Sequence, residues 1–225
     1  MPDSIRLKID IDEAIRYMGY REAPNKQQLE TIRGLAELIE KDTKPAWVYR
    51  VFPIIETEDG IELKGTKLVL TGSSVRKHLK GCDSAVLLCA TISAKADEII
   101  RQKEREDIAL GFMTDCLASA AVESICNEIE RMLAEKFSTK FFTWRFSPGY
   151  GDLPLDVQPY IIEVLGAGKR AGVTCTPSLM MIPSKSVTAV IGLSDVPIDR
   201  GRRGCAVCNL SGTCEFRKRG VRCGT

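Results

Sequence analysis

Histidine is almost absent from this sequence, which has a single one, His78, among its 225 residues. Histidine is the side chain that most often acts as a general base near neutral pH. His78 lies beside Arg76, Lys77 and Lys80 on a predicted short helix, and a solvated basic face is the interpretation favoured over catalysis. A mechanism that requires a histidine base is therefore disfavoured.

Long apolar runs are also missing. No apolar run approaches the roughly 18 residues that a membrane span needs, and residues 1–4 lack the basic-then-apolar pattern of a signal peptide. A cytoplasmic location is expected on these grounds. The net charge of +2 indicates no general polyanion partner, and the 44% apolar content is enough for a core.

Cytosolic proteins rarely form disulfide bonds, so the nine cysteines need another explanation. Five are scattered, mostly among apolar residues, and are interpreted as small core residues: Cys82, Cys89, Cys116, Cys126 and Cys175. Four lie close together in a polar, glycine-rich tail: Cys205, Cys208, Cys214 and Cys223. This clustering predicts metal binding, and an iron–sulfur cluster, a zinc ion and a metal-free redox thiol set remain open.

The same tail is basic, because residues 200–225 carry seven Arg or Lys residues and one acid, Glu215. The positive charge would offset the charge of four thiolates, or dock an acidic electron carrier such as a flavodoxin or ferredoxin. Nucleic-acid binding by a small zinc module is disfavoured, since Phe216 is the only aromatic residue available there for base stacking. We therefore divide the chain into a domain over 1–199 and a metal-binding tail over 200–225.

Hydrophobic periodicity predicts an α+β fold: a twisted, mainly antiparallel sheet with packed helices, plus the short metal-binding appendage at the carboxyl end. Apolar residues at helical spacing predict helices over 10–20, 26–41, 73–79, about 97–105 and about 107–137. Alternating or continuous apolar runs predict strands over 5–9, 47–55, 61–63, 68–70, 84–91, 173–181 and 186–193. Ser73 and Ser74 are the predicted N-cap of their helix.

The stretch from Arg145 to Pro154 is the part of the chain most typical of a binding site. Pro148 fixes its own backbone φ, and Gly149 permits positive φ and the close approach of another backbone. Arg145 offers a planar fork of donors that suits a carboxylate. A tight turn with a surface arginine is the competing interpretation when only the spacing is considered.

The sequence over 145–154 resembles the R-x-x-P-G-Y-x-x-x-P signature of the activation domain of cobalamin-dependent methionine synthase. A second segment, over 181–189, resembles the M-x-P-x-x-S-V-[ST]-[GA] block that follows in that family at a similar distance. The resemblance is clearest over 109–194 and does not reach the last thirty residues. The family's late strand with its tyrosine pair is replaced here, after Ser194, by the cysteine segment.

The resemblance implies a binding site for S-adenosylmethionine. It implies that Arg145 holds the ligand's carboxylate and that Tyr150 and the preceding backbone hold the adenosine side. It also implies that Glu123, on the long helix, meets the ammonium or sulfonium charge. The implied site residues are Glu123, Arg145, Phe146, Ser147, Pro148, Gly149 and Tyr150, and none is expected to be a catalytic acid, base or nucleophile.

The function implied by the resemblance is reductive methylation that reactivates cob(II)alamin in a cobalamin-dependent methionine synthase or a related corrinoid methyltransferase. The cobalamin would be carried by a partner protein, and the electron would come from a flavodoxin- or ferredoxin-type donor. Two alternatives remain. One is a module that senses S-adenosylmethionine or a corrinoid without turnover, and the other is a zinc-stabilised interaction protein.

Overall fold

The structure, a computed structural model, describes residues 5–20, 22–200 and 212–213. Its helices are α1 (Ile11–Met18), α2 (Lys26–Asp42), α3 (Ser73–His78), α4 (Ala94–Glu106), α5 (Ile108–Lys136), α6 (Val157–Leu165) and α7 (Ala167–Arg170). Its strands are β1 (Ala46–Glu56), β2 (Ile61–Leu63), β3 (Val69–Leu70), β4 (Ser84–Thr91), β5 (Phe141–Phe142), β6 (Thr174–Cys175), β7 (Met181–Ile182) and β8 (Ser186–Ser194).

Six strands form one sheet in the order β3-β2-β1-β4-β8-β5. The pairs β1–β2, β2–β3 and β5–β8 are antiparallel. β4 and β8 are antiparallel too, because Asp83 N donates to Leu193 O at 3.0 Å while Ile92 N donates to Lys185 O at 3.2 Å. The prediction of an α+β fold with a mainly antiparallel sheet is therefore confirmed.

β4 lies near the centre of this sheet, and all of its residues after Ser84, the first, are buried. Its near-continuous apolar sequence explains this, since a strand covered on both faces needs apolar side chains at successive positions rather than at alternate ones. The neighbouring β8 is buried almost as completely. The prediction of a central strand over 84–91 is confirmed with the same bounds.

The chain divides into two compact units. The first comprises Met1–Val48, Cys89–Lys136 and Leu165–Val187, and the second comprises Tyr49–Leu88, Phe137–Val164 and Thr188–Thr225. The domain boundary predicted between residues 199 and 200 stays a prediction, because nearly all of the tail lies outside the described residues.

The first unit is built around α5, which is 29 residues long and packs against α1, α2 and α4. Asp107 begins this helix, since its Oδ1 accepts hydrogen bonds from Ala109 N at 2.6 Å and Leu110 N at 3.1 Å. Near that end α4 approaches so closely that a Cβ at Gly111 would lie 2.8 Å from Glu104 Cα. The small residue at this position therefore permits the tight α4–α5 contact.

By length and composition, α5 also meets the requirements for a membrane-crossing helix, the one helix of the described residues that does. Its sequence is not a continuous apolar run, because charged residues such as Asp115 and Glu123 interrupt it. Half of the qualifying stretch is buried inside the protein, and three helices pack on α5. We therefore assign α5 as the core helix of the first unit.

Two predicted strands differ from the structure. Residues 5–9 lie outside the strands of the described chain, and Ile9 N donates instead to Glu40 Oε1 of α2 at 2.7 Å. The single strand predicted over 173–181 is in fact the hairpin β6–β7, closed by Thr176 N donating to Met180 O at 2.8 Å. The reason is Pro177, which has no N–H for a sheet and favours a turn.

Replacing Leu117 tests the role of α5. Leu117 is 0% exposed, so Leu117→Ala should lower the free energy of unfolding by about 2–5 kcal/mol through lost burial and a residual cavity. Ile108, on the same helix, is 84% exposed, and Ile108→Ala should change that free energy by less than about 0.5 kcal/mol. Denaturant titrations followed by circular dichroism measure both values, and equal effects would contradict the assignment of α5 as a core helix.

Candidate functional site

The Arg145 loop (residues 145–154) lies in the second unit, between β5 and α6. Phe146 attaches it to β8, because Phe146 N donates to Val190 O at 2.9 Å and Val190 N donates back to Phe146 O at 2.8 Å. Arg145, half-buried, immediately precedes this bridge. The loop therefore starts from a fixed point on the sheet.

The proline-glycine turn predicted from the sequence is present. Pro148 is buried, and Gly149 has a φ of +87°, which glycine adopts without the steric cost that other residues bear. Gly149 N donates to Leu153 O at 2.9 Å, and Tyr150 N donates to Ser147 O at 3.0 Å. These hydrogen bonds fold the loop into a compact turn.

Tyr150 is the more exposed of the two aromatic residues in this loop, with 58% of its surface accessible to solvent. Its ring meets the ring of Phe146 edge-on, with centroids 6.1 Å apart and an interplanar angle of 80°. Aromatic pairs favour this edge-to-face arrangement. The phenol ring is thus held in place by Phe146, while more than half of its surface remains accessible to a ligand.

Asp152 attaches the far side of the loop to the beginning of α3. Its Oδ2 accepts hydrogen bonds from Ser73 N at 2.7 Å and from the Ser73 hydroxyl at 2.6 Å, and its Oδ1 accepts one from Ser74 N at 2.8 Å. The hydroxyl of Ser73 and the two amides hold the pKa of the Asp152 carboxyl far below its usual range. The carboxylate is therefore ionised at neutral pH and accepts all three hydrogen bonds.

These contacts correct the prediction that Ser73 and Ser74 cap their own helix. The residue before α3 is Gly72, which makes no side-chain cap, and both serines lie inside the helix. The first amides of the helix need an acceptor, and Asp152 supplies it from a distant part of the sequence. The prediction that a side chain accepts hydrogen bonds at the start of this helix is correct, but the residue that accepts them is Asp152 rather than Ser73 or Ser74.

His78 does not lie on a solvated face, so that interpretation is wrong. Its ring stacks on Phe146 with centroids 4.8 Å apart, and its Nε2 is 2.8 Å from the hydroxyl oxygen of Thr143. Burial lowers the pKa of His78 to about 4, and a hydrogen bond with the backbone of Trp144 opposes the shift. The imidazole is therefore neutral at pH 7 and packs beneath the Arg145 loop.

Thr143 connects His78 to the sheet. Its hydroxyl oxygen accepts a hydrogen bond from Gly192 N of β8 at 2.7 Å. At Gly192 a Cβ would lie 2.5 Å from the sulfur of Cys82 and 2.9 Å from Leu79 Cδ2, so a side chain there would have to displace these two residues, which follow α3. This close approach places Thr143 within reach of both the β8 backbone and the imidazole.

Glu123 lies in the first unit, whereas the Arg145 loop lies in the second. Glu123 is half-buried on α5. Burial raises the pKa of Tyr17 on α1, and the hydrogen bond with Glu13 and the charge of Glu123 raise it further. The structure therefore places Glu123 in the environment of Tyr17, and its role toward a ligand stays a prediction.

The segment over 181–189 crosses from the first unit into the second. In the first unit, the ammonium of Lys185 lies 2.7 Å from Asp115 Oδ1 and donates to the Ser119 hydroxyl at 3.0 Å, both on α5. In the second, the buried Thr188 hydroxyl donates to Gln158 Oε1 of α6 at 3.3 Å. The polar residues of this segment thus fix the start of β8 against neighbouring helices.

The four cysteines predicted to bind a metal, Cys205, Cys208, Cys214 and Cys223, lie outside the described residues. In the part of the chain that the structure describes, no group of three or more potential ligands is placed to hold a metal ion. The five described cysteines form no disulfide bond, and Cys89, Cys116 and Cys126 are buried. Burial raises the pKa of Cys89 to about 12, as expected for an unreactive core thiol.

The Arg145 loop contains a half-buried arginine, a folded backbone and an exposed phenol within one short segment. The carboxylate of Asp152 and the imidazole of His78 are both occupied by contacts that hold the loop. Reasoning from the sequence missed Asp152, His78 and Thr143 as parts of this assembly. Their partners are distant along the chain, and local patterns carry no signal of such contacts.

The lowered pKa of His78 makes the stability of the protein depend on pH. Well above pH 6.5 the imidazole is neutral in both the folded and the unfolded state, and this contribution to stability is fully present. As the pH falls from about 6.5 to about 4, the unfolded chain binds a proton that the folded protein does not, so stability is lost. His78→Phe removes the only histidine, and should flatten the decline by up to about 1.4 kcal/mol per pH unit.

Denaturant titrations at several pH values between 4 and 7 measure this slope for the wild-type and His78→Phe proteins. Phenylalanine keeps a ring at the position that stacks on Phe146, so the comparison isolates the titration. Identical slopes for the two proteins would show that His78 is not buried in its neutral form.

Comparisons with known proteins agree with this fold. No family model and no curated protein matches the sequence. Among solved structures, the chain is similar to the crystal structure of the MetH reactivation domain bound to AdoHcy, with a TM-score of 0.56 and 15% sequence identity. The likeness covers 98% of this chain and 88% of that chain. At this level of identity the comparison shows that the chain has the fold of that reactivation domain.

Proposed function

We propose that this chain binds S-adenosylmethionine and supports the reductive methylation of cob(II)alamin on a separate corrinoid protein or cobalamin-dependent methionine synthase core. The Arg145 loop carries the proposal: a guanidinium, a proline-glycine turn and an exposed tyrosine follow one another on a loop attached to the sheet. The fold is similar to that of a reactivation domain whose crystal structure contains AdoHcy, the demethylated form of the proposed ligand.

The ligand requires three kinds of contact, and the predicted residues offer each of them. The Arg145 guanidinium suits the carboxylate of the methionine portion, because its planar donors can form two parallel hydrogen bonds. The backbone from Phe146 to Gly149 and the ring of Tyr150 suit the adenosine portion. Glu123 offers a negative charge for the ammonium or sulfonium group.

The partner's corrin, when bound, supplies the reduced cobalt that accepts the methyl group. The part of this chain is to bind the sulfonium compound, orient its methyl group and exclude water. Such a role needs no acid–base pair or nucleophile on the chain. The proposal includes a cytoplasmic location and an acidic electron donor of the flavodoxin or ferredoxin type that docks on the basic residues of 200–225.

Replacing Arg145 tests the proposed ligand site. Arg145→Ala should weaken S-adenosylmethionine binding by about 1.5–3 kcal/mol, because a hydrogen-bonded charged partner of the carboxylate is lost. Isothermal titration calorimetry with S-adenosylmethionine, and separately with S-adenosylhomocysteine, measures the change. Arg33→Ala is the matched control, since Arg33 is an exposed arginine on α2.

Unchanged affinity in Arg145→Ala would remove this residue from the site. If wild-type protein fails to bind either compound at millimolar concentrations, the proposed function itself is wrong. Equal losses in Arg145→Ala and Arg33→Ala would indicate a nonspecific effect of charge.

We propose in addition that Cys205, Cys208, Cys214 and Cys223 bind an iron–sulfur cluster or a zinc ion. Four thiolates are a donor set that suits either one. Protein purified without oxygen should contain iron with visible absorption that bleaches on reduction, or one equivalent of colourless zinc. Cys205→Ser should lower the metal content in elemental analysis, whereas Cys175→Ser should not, and metal-free wild-type protein would contradict the proposal.

A further inference from the structure

α3 contacts the Arg145 loop at both of its ends. The helix has six residues, from Ser73 to His78, and is therefore about 9 Å long. Its first residues bind Asp152 near the end of the loop, and its last residue packs on Phe146 near the beginning. One short helix thus spans the two sides of the turn that contains Pro148 and Gly149.

α3 is itself fixed to the second unit. Val75 on the helix is fully buried, and Leu79, the residue that follows the helix, is 2% exposed. The guanidinium of Arg76 donates to Glu56 Oε1 of β1 at 3.1 Å and to the carbonyl oxygen of Glu58 at 2.5 Å. A helix held by apolar burial and by these hydrogen bonds can serve as a rigid support for the loop.

The contact at the start of α3 is close as well as polar. Besides the three hydrogen bonds of Asp152, a Cβ at Gly72 would lie 2.8 Å from the carbonyl oxygen of Asp152. A Cβ at Gly151 would lie 2.6 Å from Ser74 Cβ. Both glycines have positive φ, at +114° and +55°, and their lack of a side chain lets the two backbones meet. Asp152 therefore has little freedom to move away from the helix.

The contact at the end of α3 combines a ring stack with a hydrogen bond. The imidazole of His78 lies on the Phe146 ring, and its Nε2 shares a hydrogen bond with the Thr143 hydroxyl, which is also bound by Gly192 N. Phe146 in turn meets the edge of Tyr150. The ring of Phe146 thus contacts both the His78 imidazole and the exposed phenol of Tyr150, so His78 helps to fix the position of that phenol.

We infer that α3 sets the conformation of the Arg145 loop, and that Asp152 and His78 are positioning residues which determine its affinity for S-adenosylmethionine. The inference rests on the proposed function for its ligand, while its structural part stands on the contacts above. Neither residue needs to touch the ligand. They act by keeping Arg145 and Tyr150 in the arrangement that binds.

The size of the effect follows from the fraction of molecules whose loop is correctly folded. Apparent affinity equals intrinsic affinity multiplied by that fraction. If removal of one contact lowers the fraction from nearly one to about a fifth, binding weakens about fivefold. Stability of the rest of the protein need not change, since a loop can open locally while the core remains folded.

The experiment compares Asp152→Asn with Asp59→Asn, an exposed aspartate in the turn between β1 and β2 of the same unit. Hydrogen exchange in protein without ligand is followed at the amides of Ser73 and Ser74, which bind Asp152, and of Gly149, which closes the turn. Calorimetry then measures the affinity of each protein for S-adenosylmethionine at pH 7. Ser73→Ala is the milder companion, because it removes one hydroxyl donor and leaves both amides.

Two substitutions separate the contributions of His78. His78→Phe keeps a ring against Phe146 and removes the hydrogen bond with Thr143, while His78→Gln keeps a polar group for Thr143 and removes the ring. We expect Asp152→Asn to speed exchange at the three amides and to weaken binding about fivefold or more. We expect Asp59→Asn to change neither. We expect both His78 variants to bind S-adenosylmethionine more weakly than the wild-type protein, because each removes one of the two contacts of the imidazole.

Unchanged exchange and affinity in Asp152→Asn and Ser73→Ala would overturn the inference. So would faster exchange spread over the whole second unit, because the carboxylate would then support the fold in general rather than the loop. If wild-type protein does not bind S-adenosylmethionine, the proposed function fails separately. The exchange at Gly149 then decides the structural part: acceleration in Asp152→Asn supports it, and no acceleration overturns it.

Discussion

The candidate site depends on one carboxylate, that of Asp152, and on the three hydrogen-bond donors it meets at the start of α3. A helix start leaves amide groups without partners, and an acidic side chain there is favoured both by hydrogen bonding and by the helix dipole. The chain satisfies that requirement with a residue of the loop rather than of the helix. The same interaction therefore completes α3 and closes the Arg145 loop.

The rest of the second unit makes this arrangement possible. β8 supplies two backbone contacts, with Phe146 at Val190 and with the Thr143 hydroxyl at Gly192. Because β8 is buried along nearly its whole length, these contacts start from a strand that cannot easily shift. The loop is thus bounded by a sheet on one side and a helix on the other. Its exposed residues can be specialised for binding without having to stabilise the fold.

Much of the fold could be predicted because it follows from local patterns. The apolar run of β4 and the long helical pattern of α5 gave bounds close to those observed, since many residues contribute to each pattern. The proline-glycine turn could be predicted because Pro148 and Gly149 have backbone preferences of their own. The surroundings of His78 could not, because the nearby Lys77 and Lys80 are basic and exposed, whereas Thr143 is 65 residues away. Asp152 and Ser73 are separated by 79 residues, and no local pattern relates them.

The long sequence separation of these contacts has a consequence for dividing the chain. Both recognisable sequence motifs fall between residues 109 and 194, so a fragment of that length would appear to carry the whole site. Such a fragment would lack Ser73, which donates to the Asp152 carboxylate near one end of the loop. It would also lack His78, whose ring stacks on Phe146 near the other end. The fragment would keep Arg145 and Tyr150 but would lose contacts that hold the Arg145 loop on both sides.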